Sequence, residues 1–284
     1  PYYGSVDSTP LFIYICGLYY EKSVDTEWLV KYWPHIKSAL EWCEKYGDFD
    51  GDTLLEYERK NPAGLMHQGW KDSRMDHLGL KPPIELIEVQ GYYYAALREA
   101  AEIALMLKNE TLAKQLASRS EKLKAACLKQ FWIPEKNFFA IALSESKFPN
   151  ERISSNPGHL LFSGILDGED DKIEAVVKRL FQDDMWTPYG IRTHAESNPD
   201  FNPMSYHLGS VWPHDNWIIA QGLKKYGYDR EYEKIKHALL DAYRILGEIT
   251  ELYAVVDEKI ERIPVACSPQ AWASGALLNF ILEK

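Results

Sequence analysis

The side chains in this sequence best suited to chemistry are carboxylates set among tryptophans. Trp70, Trp186, Trp212, Trp217 and Trp272 all lie in or next to polar loops. A flat aromatic face beside acids and amides suits a sugar ring, whose CH faces stack while its hydroxyls take directional hydrogen bonds. Any one of these tryptophans reads as core; their recurrence at loops and helix starts points to carbohydrate. Cleaving a glycosidic bond needs one carboxylic acid to protonate the leaving oxygen and a second carboxylate on the other side of the anomeric carbon. Asp72, in HQGWKDSRMD behind Trp70 and Lys71, is the strongest candidate for the acid, because a neighbouring aromatic wall favours the protonated form. Asp76, in the same stretch, reads as a loop brace. These residues alone select no partner for Asp72.

Other chemistries lack their motifs. The 8 histidines never form HExxH or HxH, and the 4 cysteines lack zinc spacing, so no metal site is expected. GDFDGD (Asp48, Asp50, Asp52) resembles the opening of a calcium loop but lacks the glutamate at its twelfth position, and reads as a solvated helix-exit turn. No GxGxxG, GxxxxGK[ST] or GxSxG occurs, so no nucleotide cofactor and no serine nucleophile are expected. With 32 Lys plus Arg against 42 Asp plus Glu and a net charge of −10 over 284 residues, a phosphate backbone is a poor partner. The longest apolar run starts at Leu11 and is broken by Gly17, Glu21 and Lys22, short of the roughly 20 residues of a spanning helix, so no membrane partner is expected. Cys16, Cys43, Cys127 and Cys267 are widely spaced and read as thiols of a reducing, cytoplasmic compartment. No signal peptide follows Pro1, and the start reads as mature, processed or a boundary within a longer protein.

Helices must position these loops. Ser8 or Thr9 can cap a first helix with Pro10 in its opening turn, and Asp25 or Thr26 a second that ends at Gly47 and is kinked by Pro34. A polar segment over 48–83 follows, long enough to suggest function. Helices are then predicted over about 84–108 and 110–132, a strand-like piece at NFFAIAL, and helices over 159–166, 170–182, 211–226, 229–246 and 269–282. The sum is about nine. Apolar, Gly-containing helices precede charged amphipathic ones, the pattern of buried inner helices paired with solvent-facing outer ones. Without a fixed-period repeat, an all-α closed toroid is preferred over an open solenoid, as a single domain over 1–284. The polar loops PYYGSVDST, HQGWKDSRMD, SSNPGH and FNPMSYHLGSVWPHDNW each precede an inner helix, so they gather at one rim.

At GWKDS, PPIELIEVQGY, NPGHLLFSGI, GIRTHAESNPDFNPMSYHLGSVWPHDN and PVACSPQAW, in that order, the sequence resembles the C-terminal glucosidase domain of glycogen debranching enzymes and their bacterial amylo-α-1,6-glucosidase-like relatives. The likeness covers nearly the whole chain. It implies an (α/α)6 toroid and hydrolysis with inversion and without a cofactor. It also implies Asp72 as general acid and, in ITELYAV where the family has Pro-Glu-Leu-Phe, Glu251 as general base; Thr250 and Tyr253 replace the Pro and Phe, and Glu248 is the alternative. The sugar-binding positions it implies are Asp7, Trp70, Lys71, Glu88, Gln90, Trp212, His214, Asp215 and Gln270. The family's Phe-Gly-Arg-Asp-Ser helix and the outer helix after it have no counterpart before PYYGSVD. The toroid is therefore expected to be incomplete at its N-terminal side, the chain to belong to a longer one or to be shortened, and the gap to be covered by self-association or by an N-terminal domain.

The expected function is hydrolysis of α-glucosidic linkages in oligosaccharides, α-glucans or glycogen branch stubs. The alternative is a non-catalytic carbohydrate-binding or scaffold remnant. Inversion requires carboxyl groups roughly 6.5–9.5 Å apart, with Trp70 and Trp212 as sugar-facing walls and Asp7 and His214 near hydroxyls. A terpene-cyclase-like toroid would want aspartate-rich metal motifs, and DFDGD is a poor one.

Overall fold

The structure, a computed structural model, describes residues 3–283. Pro1, Tyr2 and Lys284, which the expected 1–284 domain and the PYYGSVDST loop include, lie outside the described residues. Among the described residues there are nine α-helices: α1 (Ser8–Ser23), α2 (Thr26–Tyr46), α3 (Ile87–Met106), α4 (Glu110–Phe131), α5 (His159–Ser163), α6 (Asp170–Leu180), α7 (Pro213–Lys225), α8 (Asp229–Leu246) and α9 (Ala271–Leu282). None is long and apolar enough to cross a membrane.

The helix ends follow local chemistry. Asp25 Oδ1 accepts the Trp28 amide at 2.9 Å and Asn109 Oδ1 that of Leu112 at 3.1 Å, each satisfying one orphan donor of a first turn. Gly247 takes the left-handed conformation (φ 69°) that closes α8. Two expectations shift. Asp7, not Ser8 or Thr9, precedes the first turn of α1, and its carboxylate takes the Ser5 hydroxyl instead of a backbone amide. The strand at NFFAIAL divides into Phe138–Phe139 and Ala142–Leu143. Helix α2 runs through Pro34, whose ring removes the amide that would reach back one turn; Ser38 Oγ donates to the Pro34 carbonyl at 3.1 Å.

Contacts divide the chain into two compact units. The first is Pro1–Ile133, Ala140–Glu151 and Ser163–Ile165; the second is Pro134–Phe139, Arg152–Phe162 and Leu166–Lys284. In the first unit α3 packs on α1 and α4. Every residue of α3 from Ile87 to Leu97 is buried, whereas α4 buries only the stripe Ala113, Leu116, Ser120, Leu123, Cys127 and Phe131, which is the inner and outer pairing the sequence implied. Strand Ala142–Leu143 lies between Glu85–Leu86 and Pro149–Asn150 in an antiparallel ladder. In the second unit α7 packs on α8 and α9. Here α8 supplies the amphipathic stripe (Tyr232, Ile235, Ala238, Leu239, Ala242, Leu246), and the hairpin Tyr253–Val256/Lys259–Arg262 pairs Tyr253 with Arg262.

Close approach within the second unit depends on a glycine. A Cβ on Gly222 of α7 would stand 2.5 Å from Leu161 Cβ and 2.6 Å from the Phe162 amide nitrogen, the latter backbone that cannot swing aside. On Gly275 of α9 it would meet nothing within 4 Å. Gly222→Ala is expected to destabilise by about 1–3 kcal/mol. Gly275→Ala is expected to be neutral or to stabilise by up to about 1 kcal/mol. Thermal melts of the two variants check this, and equal melting temperatures would contradict the packing of α7 on α5.

Candidate active site

In the first unit the candidate residues converge on the loop 65–73. His67 and Ser73 pair across its neck, Met66 N and His67 N both reaching the Ser73 carbonyl (2.7 and 3.0 Å). Between them Gln68 to Asp72 form a short projecting turn. His67 is buried and pinned from two sides, by the Tyr57 hydroxyl at Nδ1 (3.0 Å) and by Asp76 Oδ1 at Nε2 (3.1 Å). Asp76 also accepts the Leu78 and Gly79 amides (3.0 and 2.8 Å), so it is the brace the sequence suggested. The Gln68 carbonyl accepts the Val6 amide at 2.9 Å, which lays the segment before α1 along the turn. From the first turn of α3, buried Glu88 comes close, its Oε1 3.6 Å from where a Cβ on Gly69 would be.

Asp7, Trp70, Lys71, Asp72 and Glu88 are thus neighbours. Trp70 and Lys71 are 7% and 5% exposed, with Lys71 Nζ 5.0 Å from the indole centroid. Asp72 is exposed at the turn, next to the buried Trp70 and Lys71. Burial pushes the Asp7 carboxyl above its usual range; the Ser5 hydroxyl at 2.6 Å opposes this, and the charge of Asp72 adds to it. Gln90 has another task. Its Oε1 accepts the Leu55 amide (2.7 Å) and its Nε2 donates to the carbonyls of Leu55 (2.8 Å) and Leu86 (2.9 Å), which engages the whole carboxamide inside the protein.

The GDFDGD segment is more than a solvated turn. Asp48 accepts the Gly51 and Thr53 amides, while the Lys147 ammonium pairs with Asp50 (2.8 Å), Asp52 (2.7 Å) and buried Glu85. Burial raises the Glu85 carboxyl to about 8 against the pull of Lys147. Asp50, Glu56 and Glu85 bring ligand oxygens within 4.8 Å of one another, a donor set with an ammonium already against it.

In the second unit a reciprocal pair of hydrogen bonds between Val211 and Tyr253 (2.8 and 3.1 Å) lays the segment 206–216 beside the stretch that carries Glu251. Glu251 is 9% exposed; its Oε2 accepts the Tyr206 hydroxyl at 2.6 Å and the Cys267 amide at 3.2 Å. Glu248 differs, being ion-paired with Arg262 and bonded to the Ser268 hydroxyl (2.8 Å). Trp212 is 2% exposed, its Nε1 donating to the Tyr206 carbonyl (2.8 Å), with His207 stacked on it at 5.2 Å. His214 lies edge-on to Trp212 (5.4 Å) and against Trp272 (4.4 Å), and the Trp272 ring, 50% exposed, is the open aromatic face of this group. Asp215 is fully buried on His159 Nε2 (2.7 Å), and Gln270 caps α9 through the Ala273 amide (2.9 Å). Sequence reasoning missed Tyr206, His159 and the Cys267 amide. Tyr206 lay in a loop it had singled out, but only the Val211–Tyr253 pairing brings that loop to Glu251.

A family model for the mannosylglycerate hydrolase MGH1-like glycoside hydrolase domain matches residues 8–257. The chain belongs to this glycoside hydrolase family. Mannosylglycerate hydrolase MGH1 of Selaginella moellendorffii is 35% identical over 97 residues, which cover 33% of this chain and 18% of that protein. Among solved structures, a GH63 mannosylglycerate hydrolase from Thermus thermophilus in complex with Tris and D-glycerate superposes with a TM-score of 0.76 at 15% identity, over 98% of this chain and 78% of that one. Its complex with glucose gives 0.58 at 18% identity over 70% and 45%. These likenesses show the fold as the helical toroid of such hydrolases. Of the likeness read in the motifs, what is shared with this MGH1-like family is an (α/α)6 glycoside hydrolase.

The raised Asp7 carboxyl gives a pH-dependent prediction for this MGH1-like chain. Below the ordinary aspartate range, near 3.8, Asp7 is protonated folded or unfolded and costs nothing. As pH rises through the elevated folded value, the folded state loses stability relative to the unfolded one, and the loss persists at higher pH. Asp7→Asn is therefore expected to raise the melting temperature at neutral pH, with a gain that shrinks toward zero near pH 3. Melts across that range check it; a gain independent of pH would contradict the assignment.

Proposed function

We propose that this chain carries the catalytic site of an inverting glycoside hydrolase, with Asp72 as general acid and Glu251 as general base. Family membership supports glycosidase chemistry, and the observation that carries the choice of base is the contrast between two glutamates. Glu251 is buried and oriented by a hydroxyl and an amide, whereas Glu248 is taken up by Arg262. In the step proposed, a water oxygen bonds to the anomeric carbon as its proton passes to Glu251. The glycosidic C–O bond breaks with its electron pair on the leaving oxygen, which takes the proton of Asp72. Asp7, Trp70, Lys71, Glu88, Trp212, His214, Asp215 and Gln270 are the residues proposed to contact the sugar or to hold the groups that do. Exposed Trp272 is added as a stacking face. Gln90 serves by holding the rim.

The substrate class favoured is a small α-linked glycoside of a hydroxy acid such as mannosylglycerate, from the names of the relatives. Hydrolysis of α-glucosidic linkages is the second reading, supported by the motif likeness and by the glucose bound in one solved relative. The buried free thiols Cys16, Cys43 and Cys127 support a cytoplasmic setting. The test is hydrolysis of mannosylglycerate, maltose, isomaltose and limit dextrin by the purified protein, with product anomers followed by NMR. Asp72→Asn and Glu251→Gln should each lower kcat by roughly 10²–10⁴ with unchanged circular dichroism. Retention of configuration would exclude the mechanism, and inactivity on every glycoside would favour a carbohydrate-binding role.

A further inference from the structure

Both hydrogen bonds that the Glu251 carboxylate accepts from the described residues fall on the same oxygen. Tyr206 donates its hydroxyl to Oε2 at 2.6 Å and Cys267 its amide at 3.2 Å, while the Glu251 amide donates back to the Cys267 carbonyl at 2.9 Å. We propose that Tyr206 is a positioning residue that locks Glu251 with Oε2 turned into the protein, so that Oε1 is the oxygen that takes the proton from the attacking water. The inference rests on the reading of Glu251 as base.

The hydroxyl is itself held by buried structure. The Tyr206 ring stands edge-on to Trp212 at 4.9 Å and to His207 at 4.8 Å. Its carbonyl accepts Trp212 Nε1 and Ser210 Oγ, both at 2.8 Å. The Val211–Tyr253 pairing five residues on fixes the segment that carries Tyr206 against the segment that carries Glu251. A free glutamate would rotate its terminal torsion through a broad, two-fold well. Two donors on one oxygen fix the plane of the carboxylate, so the lone pairs of the other oxygen, Oε1, keep one direction and stay available to water.

The test uses α-D-mannosyl fluoride and α-D-glucosyl fluoride, whose leaving group departs without general-acid help, so that the rate reports the base side. Tyr206→Phe keeps the ring contacts and removes only the donor. It is expected to lower kcat by about 10–100-fold, the scale of a misplaced catalytic group, while KM stays nearly constant. In a Glu251→Ala background azide replaces the activated water: its nitrogen bonds to the anomeric carbon, fluoride leaves with the bonding pair, and no proton need be removed. There Tyr206→Phe should leave the azide-rescued rate unchanged, the non-additivity of a residue that acts through another. Equal losses in both backgrounds would mean structural damage and overturn the proposal. So would an unchanged kcat, or a change confined to KM, which would make Tyr206 a substrate contact. A Glu251→Ala variant as fast as the wild type, or a wild type inert on both fluorides, would instead remove the base reading itself.

Discussion

In each unit one fully buried carboxamide in the first turn of an inner helix grips the backbone of a segment outside that helix. Gln90 of α3 accepts the Leu55 amide and donates to the carbonyl of the same residue and to that of Leu86, four residues before it. Asn216 of α7 repeats the pattern on Ile191 (2.7 and 2.9 Å) and on Trp212, again four residues back (3.1 Å). Both side chains are 0% exposed. A helix buried on all sides leaves the amides and carbonyls of the adjoining loops without water, and such groups must find partners inside the protein. A carboxamide offers an acceptor and two donors at once, so a single side chain satisfies both backbone polar groups of one residue outside the helix and closes its own helix start.

With the rims held in this way, charge is distributed by access to solvent. Asp72 projects from a turn whose neck is tied by His67 and Ser73, while Glu251 is inside, with its carboxylate committed to two donors. In the roles proposed for them the two carboxylates face different demands, since one gives a proton to the leaving oxygen and the other must hold a single water. Asp50, Asp52 and Glu85 show a third solution, in which three carboxylates share the Lys147 ammonium. Lys147 sits at a positive φ of 60° in the connection between strands Ala142–Leu143 and Pro149–Asn150.

What was legible in the sequence is what repeats. The stripes of α4 and α8 announce a buried side every three or four residues, and the continuous apolar face of α3 announces an inner helix. The cap at Asp25 is local chemistry and was legible too. Side-chain direction in loops carries no period. Trp70 and Trp212 look like sugar platforms by type, yet the structure packs both rings inward and leaves Trp272 open. GDFDGD looked solvated because its cation comes from Lys147, far along the chain and across a sheet of two-residue strands too short to show an alternation. Tyr206 reaches Glu251 only through the pairing of Val211 with Tyr253, and no local pattern foretells which distant segments pair.

The carboxamide grips also bear on how the rims breathe. Leu55 lies in a loop and Ile191 in the two-residue strand Gly190–Ile191, but the hydrogen bonds of both amides end on side chains rooted in α3 and α7. Exchange of those hydrogens with solvent therefore requires either withdrawal of a fully buried amide group or opening of the inner helix itself, and both are rare events on the scale of loop fluctuation. On the exchange timescale the segments around Leu55 and Ile191 would behave as core, and each would share its opening with the helix that holds it.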